Sequence, residues 1–251
     1  MSYPFISFEF LLEIAFTDET MGNLIFQQLF ESESSTYSYL LADAKTKEAV
    51  IIDPVLEKAD RDLQLIQELN LQLLFILETH VHADHVTGAG KLADATGAKI
   101  ALSAEAHVKG NHRALQDGDQ LQFGEQRIRA LATPGHTNGC MSFLLGDRVF
   151  TGDALMIRAN GRTDFQEGSA ARLYESVRNK LFTLPDETLV YPAHDYKGFT
   201  SSTIGAEKKF NSRLSQNRSL EEFVKIMTDL HLPPPKKLDV AVPANLKLGR
   251  I

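Results

Sequence analysis

Seven histidine and aspartate side chains have the types and the spacing that metal chemistry needs. They are His80, His82, Asp84, His85, His136, Asp153 and His194. Because side chains alternate along an extended stretch, His80 and His82 point to the same side and can face one ion. Asp84 and His85 fall on the following turn and can face a second ion. Imidazole and carboxylate ligands suit zinc, iron or manganese, and the absence of thiolate ligands argues against a structural zinc knuckle.

The crowding of these residues distinguishes them from ordinary histidines. A lone histidine is most often a hydrogen-bonded structural residue, and we interpret His107, His112 and His231 in that way. Three histidines and one aspartate within residues 80–85, shortly after an apolar run, are hard to explain as solvated surface. The sequence therefore predicts a metal site.

Predicted strands and helices surround the polar run and its distant partners. Apolar patterns predict strands at residues 24–30, 37–42, 49–53, 73–77, 99–102, 126–132, 141–145, 148–151 and 188–191. Helical spacing predicts helices at residues 59–71, 88–96, 169–181 and 219–230, and the chain from Pro233 onward is expected to be extended. Two halves of mixed β and α character, each with strands that lead to polar loops, predict a layered domain with its helices outside.

Composition and charge limit the classes of partner. The chain has 251 residues, of which 43% are hydrophobic and 24% charged, and this is typical of a globular protein with one catalytic domain. A formal net charge of -7 without a run of basic residues disfavours nucleic acid as a partner. No stretch reaches the roughly 20 apolar residues that spanning a bilayer requires, so no membrane partner is expected.

The first residues and the one cysteine bear on location. Cys140 has no second cysteine to pair with, which fits a reducing compartment, and we interpret it as a buried structural residue. Residues 1–23 contain no lysine or arginine and so lack the composition of a secretory or transit peptide. We expect an N-terminal extension at residues 1–23, a single catalytic domain at residues 24–251, and a cytoplasmic protein.

The run His-x-His-x-Asp-His, together with its distant partners, resembles the signature of the metallo-β-lactamase superfamily. The resemblance implies the α+β class and an αββα sandwich, with metal at one edge of two packed sheets. In two-metal members, the first two histidines of the run and the match to His136 hold one ion. The last two residues of the run and the match to His194 hold the other ion, and the match to Asp153 bridges them.

A narrower resemblance extends over most of the chain. Six segments are similar to the persulfide dioxygenases, the family of the ethylmalonic encephalopathy protein: residues 49–56 (AVIIDPVL), 79–88 (THVHADHVTG), 150–155 (FTGDAL), 161–165 (GRTDF), 191–200 (YPAHDYKGFT) and 240–245 (VAVPAN). The resemblance implies that the chain oxidises the outer sulfur of glutathione persulfide with dioxygen, which gives sulfite and glutathione. It also implies one iron(II) per chain, held at His80, His136 and Asp153.

The same resemblance gives the remaining four residues supporting catalytic roles. They are His82, Asp84, His85 and His194, which would orient ligands and manage protons around the iron. Two imidazoles and one carboxylate on one face of an octahedron leave three adjacent positions for substrate and dioxygen. A second metal ion at Asp84, His85 and His194 is the alternative for these residues.

Glutathione carries two carboxylates, so its binding site needs cationic or hydroxyl donors. Arg162 and Tyr196 are the candidates that the resemblance places beside the glutathione moiety. Arg213 is a further candidate, for which an ordinary surface ion pair is the alternative. Asp164 is expected to brace the loop that carries Arg162. The family often has a cysteine where Asn160 stands, so no thiol role can be transferred to that position.

The nearest alternative function is a hydroxyacylglutathione hydrolase of the glyoxalase II type. That class shares the fold, the seven ligands and a glutathione substrate, but uses two metal ions to activate water against a thioester. The segments at residues 161–165 and 191–200 match the dioxygenases better. A scaffolding member without catalysis is disfavoured, because such proteins usually lose ligands. A homodimer is expected from the fold resemblance alone.

Overall fold

Two mixed six-stranded sheets form the centre of the protein. The computed structural model describes residues 23–235 and 237–250. The strands are β1 Leu24–Glu31, β2 Thr36–Asp43, β3 Glu48–Ile52, β4 Gln72–Leu77, β5 Lys99–Ser103, β6 Arg113–Leu115, β7 Gln120–Phe123, β8 Gln126–Ala132, β9 Met141–Leu145, β10 Arg148–Gly152, β11 Leu189–Pro192 and β12 Ser202–Thr203. The first sheet has the order β1-β2-β3-β4-β5-β6 and the second the order β12-β11-β10-β9-β8-β7. Strands β3 to β6 run parallel to one another, as do β10 and β11.

Helices cover the outer face of each sheet. They are α1 Ala59–Glu68, α2 Ala89–Thr96, α3 Ala170–Ser176, α4 Ile204–Phe210, α5 Leu220–Thr228 and α6 Leu238–Asn245. Shorter helical turns are Leu56–Lys58, Ala104–Ala106 and Val177–Leu181. None of these helices has the length and apolarity that crossing a membrane would require.

Neighbouring residues of one strand pack into different hydrophobic cores, one between the two sheets and one between a sheet and its helices, because successive side chains point to opposite faces of a sheet. Phe150 of β10 packs between the two sheets, whereas Val149 packs against the helices of the second sheet. In the first sheet, Leu77 faces the other sheet and Ile76 faces α1 and α2. Each sheet is therefore buried on both faces, which confirms the αββα sandwich and explains the continuous apolar run of β4.

Strand direction brings the polar loops to one edge of the sandwich. The polar run follows the end of β4, and the segments with His136, Asp153 and His194 follow β8, β10 and β11. β10 and β11 are parallel, and β8 is separated from β10 by one antiparallel strand, so these three strands end at the same edge.

Hydrogen bonds between the two sheets hold the end of β11. Tyr39 Oη of β2 donates to the Pro192 carbonyl oxygen over 2.6 Å, and Tyr37 N donates to the Ala193 carbonyl oxygen over 2.7 Å. The backbone position of His194 is therefore fixed by a strand of the other sheet.

Several predictions of secondary structure were wrong or incomplete. The chain after Pro235 is not extended, because Leu238–Asn245 forms α6 despite Pro243 in its interior. Ala241 and Ala244 of this helix pack against Val86, and this tertiary packing outweighs the poor helix propensity of proline. The helix α4 and the strands β6, β7 and β12 were not predicted. The expected extension falls, except for Asn23, outside the described residues.

Candidate metal centre

The seven predicted residues meet at this edge and form two groups of potential ligand atoms. Within each group, the ligand atoms lie within 4.8 Å of one another. The first group, here called the three-residue cluster, is His80, His136 and Asp153. The second group, here called the four-residue cluster, is His82, Asp84, His85 and His194. This division separates the residues expected to hold iron from those expected to support it.

Hydrogen bonds orient the His80 ring so that Nε2 is available to a metal. Thr79 Oγ1 donates its proton to Asp53 Oδ2 over 2.7 Å. The Thr79 hydroxyl oxygen therefore acts as the acceptor toward His80 Nδ1, which lies 2.9 Å away. A proton on Nδ1 leaves the lone pair on Nε2. Burial, with His82 and His136 nearby, holds the pKa of His80 well below its usual range and keeps the ring neutral.

A main-chain carbonyl orients His136. Its Nδ1 donates to the Arg162 carbonyl oxygen over 2.6 Å, which leaves Nε2 as the ligand atom. Gly161 packs against the imidazole, and a Cβ at this position would lie 2.7 Å from His136 Nδ1 and 2.8 Å from the Asp153 carbonyl oxygen. The ring and the loop approach each other this closely because residue 161 has no side chain.

His194 connects the two clusters through two carboxylates. Its Nδ1 lies 2.7 Å from Asp153 Oδ1 and its Nε2 lies 3.0 Å from Asp84 Oδ2. Burial lowers the pKa of His194, but Asp153 and Asp84 raise it well above its usual range. Burial likewise raises the pKa of Asp153, but His194 and His136 hold it well below its usual range. Asp153 is therefore ionised, and its Oδ2, 3.7 Å from His136 Nε2, is available to a metal.

Buried atoms without hydrogen-bond partners indicate that the donor set suits a cation. His82 Nδ1, His82 Nε2 and His85 Nε2 are buried and form no hydrogen bond within the described part of the chain. Leaving such atoms unpaired costs free energy unless a ligand satisfies them. With the lone pairs of the three-residue cluster, they form a nitrogen and oxygen set that fits a borderline divalent metal.

Sequence reasoning missed two carboxylates behind the polar run. Asp53 accepts from Thr79 N over 2.7 Å and from its hydroxyl, and Asp53 Oδ1 lies 3.2 Å from His82 Nε2. Glu78 Oε2 lies 3.6 Å from the same nitrogen, and Glu78 Oε1 accepts from Thr87 Oγ1. Burial and the neighbouring Asp53 raise the pKa of Glu78 well above its usual range. The signal for Asp53 was its place directly after an apolar strand.

The Arg162 guanidinium is engaged within the protein. Its Nε and Nη2 donate to the Asp164 carboxylate over 2.7 and 2.8 Å, and Nη1 donates to the Pro233 carbonyl oxygen over 2.7 Å. The same group lies over the Phe165 ring, 4.4 Å from its centroid. Asp164 thus braces this loop, and the role of Arg162 in substrate binding stays a prediction.

The polar groups of Tyr196 and Arg213, the other two substrate-binding candidates, are less engaged within the protein than the Arg162 guanidinium. The Tyr196 side chain is exposed, and its ring lies parallel to that of His194 with 6.2 Å between centroids. Arg213 is half-buried and its Nη1 donates to the Asn160 carbonyl oxygen over 3.0 Å. Burial lowers the pKa of Arg213, and no carboxylate of the described residues lies within ion-pair distance to offset it. Among the described residues, Arg213 is therefore a cation without a counter-ion.

Comparison with known proteins identifies the family of this fold and site. Residues 32–194 match the model of the Metallo-beta-lactamase superfamily. Persulfide dioxygenase ETHE1, mitochondrial, from Homo sapiens is 51% identical over 229 residues, which are 90% of this chain and 89% of that protein. The crystal structure of ETHE1 from Myxococcus xanthus superposes with a TM-score of 0.88 at 54% identity, over 90% of this chain and all of that one.

Two further points follow from the relatives. Glyoxylase B2 from Dictyostelium discoideum is more distant, at 32% identity over 88% of this chain and 89% of that protein. The expected cytoplasmic location is wrong, because the persulfide dioxygenases of Homo sapiens, Bos taurus and Mus musculus that match this chain are named as mitochondrial. The composition of residues 1–23, on which that expectation rested, was not a sufficient guide to location.

Gly161→Ala should displace His136 and weaken metal binding. The added Cβ would lie 2.7 Å from the ring, so either the ring or the loop must move. We expect metal affinity, measured by competition with a chelator, to fall by about 10- to 100-fold. Gly97→Ala is the control, because its backbone is strained at φ 75° but no atom lies within 4 Å of the added Cβ. Unchanged affinity in Gly161→Ala would contradict the argument.

Cys140 should be inert while the chain is folded. Burial raises the pKa of this thiol to about 12, although hydrogen bonds from Thr137 act in the opposite direction. At about pH 8 the thiolate fraction is therefore on the order of one in ten thousand, and the sulfur is shielded from solvent. Iodoacetamide should label the chain in denaturant but leave the folded protein unmodified, as mass spectrometry would show. Equal labelling rates in the two states would exclude this interpretation.

Proposed function

The chain belongs to the persulfide dioxygenase family of the metallo-beta-lactamase superfamily, and from this premise we propose its reaction. It oxidises glutathione persulfide with dioxygen at one iron(II) per chain. The sulfur–sulfur bond breaks, the outer sulfur is oxidised to sulfite, and glutathione leaves as the thiol. Dioxygen accepts four electrons and supplies two oxygen atoms, and water supplies the third oxygen and the protons of the products.

The three-residue cluster is the observation that carries this proposal. Two imidazole nitrogens and one ionised carboxylate converge within 4.8 Å, and each ligand is held by a hydrogen bond at its other polar atom. This donor set suits iron(II), which when bound supplies the redox chemistry and open positions for substrate and dioxygen. His80, His136 and Asp153 would hold it.

The four-residue cluster supports this centre by holding protons and charge. His194 holds a proton at Nδ1 toward Asp153 Oδ1, which fixes the carboxylate with Oδ2 directed toward His136. Asp84 Oδ2 accepts from His85 Nδ1 over 3.0 Å as well as from His194. Because hydrogen bonds connect His85, Asp84 and His194, we propose that these three residues deliver protons to the departing thiolate.

The substrate partner is glutathione persulfide, and we propose Arg213 as the residue that binds one of its carboxylates. Its guanidinium has no counter-ion among the described residues, and a half-buried cation is stabilised by an anionic ligand. Tyr196, stacked beside His194, offers a hydroxyl for a second contact with the substrate. Arg162 would contribute to substrate binding through the position of the loop that carries it.

A homodimer stays a prediction, which sedimentation of the purified chain would test.

A second candidate is hydrolysis of a glutathione thioester with two metal ions. The observation in its favour is that His82 Nδ1 and His85 Nε2 of the four-residue cluster are buried without hydrogen-bond partners, and a second ion would satisfy both. The Glyoxylase B2 relative belongs with this alternative but is the more distant one. Metal stoichiometry separates the two candidates.

Iron-loaded protein should consume dioxygen when given glutathione persulfide and should release sulfite. The measurement is dioxygen uptake with metal content on the same anaerobically prepared sample, and we expect about one iron per chain. His136→Ala should lose both iron and uptake, because it removes one of three ligands, whereas His112→Ala, which changes a partly buried histidine outside both clusters, should retain both. Two metals per chain with cleavage of S-lactoylglutathione and no uptake would establish the hydrolase instead.

Arg213→Ala should weaken substrate binding more than turnover. Loss of a charge-assisted hydrogen bond predicts a rise in KM for glutathione persulfide of about 10- to 100-fold with a smaller change in kcat. Iron content should stay that of the unmodified chain. Arg113→Ala, on the exposed edge strand β6, is the control and should leave both constants unchanged. A KM equal to that of the unmodified chain would remove Arg213 from the site.

A further inference from the structure

Asn245 is a buried polar residue at the end of α6 that takes no part in the reaction described above. It lies in the segment at residues 240–245 (VAVPAN) and is 4% exposed. Its Nδ2 donates to the carbonyl oxygens of His82 and His85, each over 2.9 Å. Its Oδ1 accepts from Thr87 N over 2.8 Å. Both amide protons therefore bind carbonyl groups of residues 78–86, here called the metal-binding loop, and the amide oxygen binds the residue that follows this loop.

The metal-binding loop needs such partners. Residues 78–86 belong to no helix or strand, so most of their backbone groups lack partners from regular structure, although the loop is largely buried. The first part of the loop is held by Asp53, which accepts from Thr79 N, and by Met141 N, which donates to the Thr79 carbonyl oxygen. The second part, with His82 and His85, is held by Asn245.

The position of Asn245 is itself fixed by the packing of the C-terminal segment. Ala241 and Ala244 of α6 pack against Val86. Val86 lies between His85 and Thr87, and Asn245 forms hydrogen bonds with the backbone of both. After the helix, the Leu248 carbonyl oxygen accepts from Gly90 N over 2.9 Å. The C-terminal segment is thus held by contacts before and after Asn245, and these contacts place the Asn245 amide against the loop.

We propose that Asn245 is a positioning residue of the metal centre. By bridging the carbonyl groups of His82 and His85 and the amide of Thr87, it fixes the turn on which His82, Asp84 and His85 are carried. Its loss should let these side chains move away from His194 and loosen the support of the bound metal. The inference rests on the proposed function only for the choice of iron(II) as the metal.

The test is the rate at which Fe(II)-loaded protein releases iron to a chromophoric chelator. Asn245→Ala removes all three hydrogen bonds, and Asn245→Asp keeps the shape and the acceptor but places an oxygen against two carbonyl oxygens. We expect both variants to release iron about tenfold faster or more than the unmodified chain. Hydrogen exchange should accelerate at residues 82–87 in both, while the strands of the two sheets keep their protection.

Ile66→Ala is the matched control for general loss of stability. It removes an apolar side chain of α1 that is buried against the first sheet, and it leaves both the loop contacts of Asn245 and the C-terminal segment unchanged. It should lower Tm by at least as much as the Asn245 variants, yet release iron within about twofold of the unmodified rate. Unmodified release from both Asn245 variants, or equally fast release from Ile66→Ala, would overturn the proposal. A chain that retains iron but does not oxidise the persulfide would overturn the proposed function and leave this comparison valid.

Discussion

The metal-binding loop is irregular and buried, and this constraint shapes the rest of the site. Backbone groups away from water need partners, and a loop without helix or strand cannot supply them itself. Partners therefore come from distant parts of the chain, among them Asp53 after β3, Asn245 at the end of α6, and Gln166, whose Nε2 donates to the Val81 carbonyl oxygen over 2.7 Å. The shape of the loop depends on these distant partners.

The two sheets contribute different ligands to the metal centre, so the geometry of the centre depends on how the sheets pack together. The first sheet leads into the loop with His80, and the second presents His136, Asp153 and His194. Contacts between the sheets near the site, such as that of Tyr39 with the Pro192 carbonyl oxygen, fix the distance between these two sets. Destabilising the sheet interface would therefore disturb ligand geometry before it unfolds either sheet.

The sequence was informative where local pattern decides structure. The apolar strands and the dense run of histidines predicted a layered domain and the ligand region, because strand alternation and ligand chemistry are local properties, whereas the αββα sandwich was implied by the family resemblance. It was not informative where distant packing decides structure. Helix α6 forms around Pro243 because its alanines fit against Val86, and no local pattern contains that contact. The hydrogen bond from Arg162 to the Pro233 carbonyl oxygen, 71 residues away, was hidden for the same reason, whereas the bracing role of Asp164 was expected.

His194 links the two clusters through the charge that it carries. Asp153 is buried and Asp84 is partly buried, and positive charge between these two carboxylates stabilises both, since like charges in a poorly solvated site oppose each other's ionisation. Here each nitrogen of His194 lies against one carboxylate, and the pKa of the ring is raised well above its usual range by both. A protonated His194 therefore neutralises both carboxylates and leaves Asp153 Oδ2 available to a metal at the three-residue cluster.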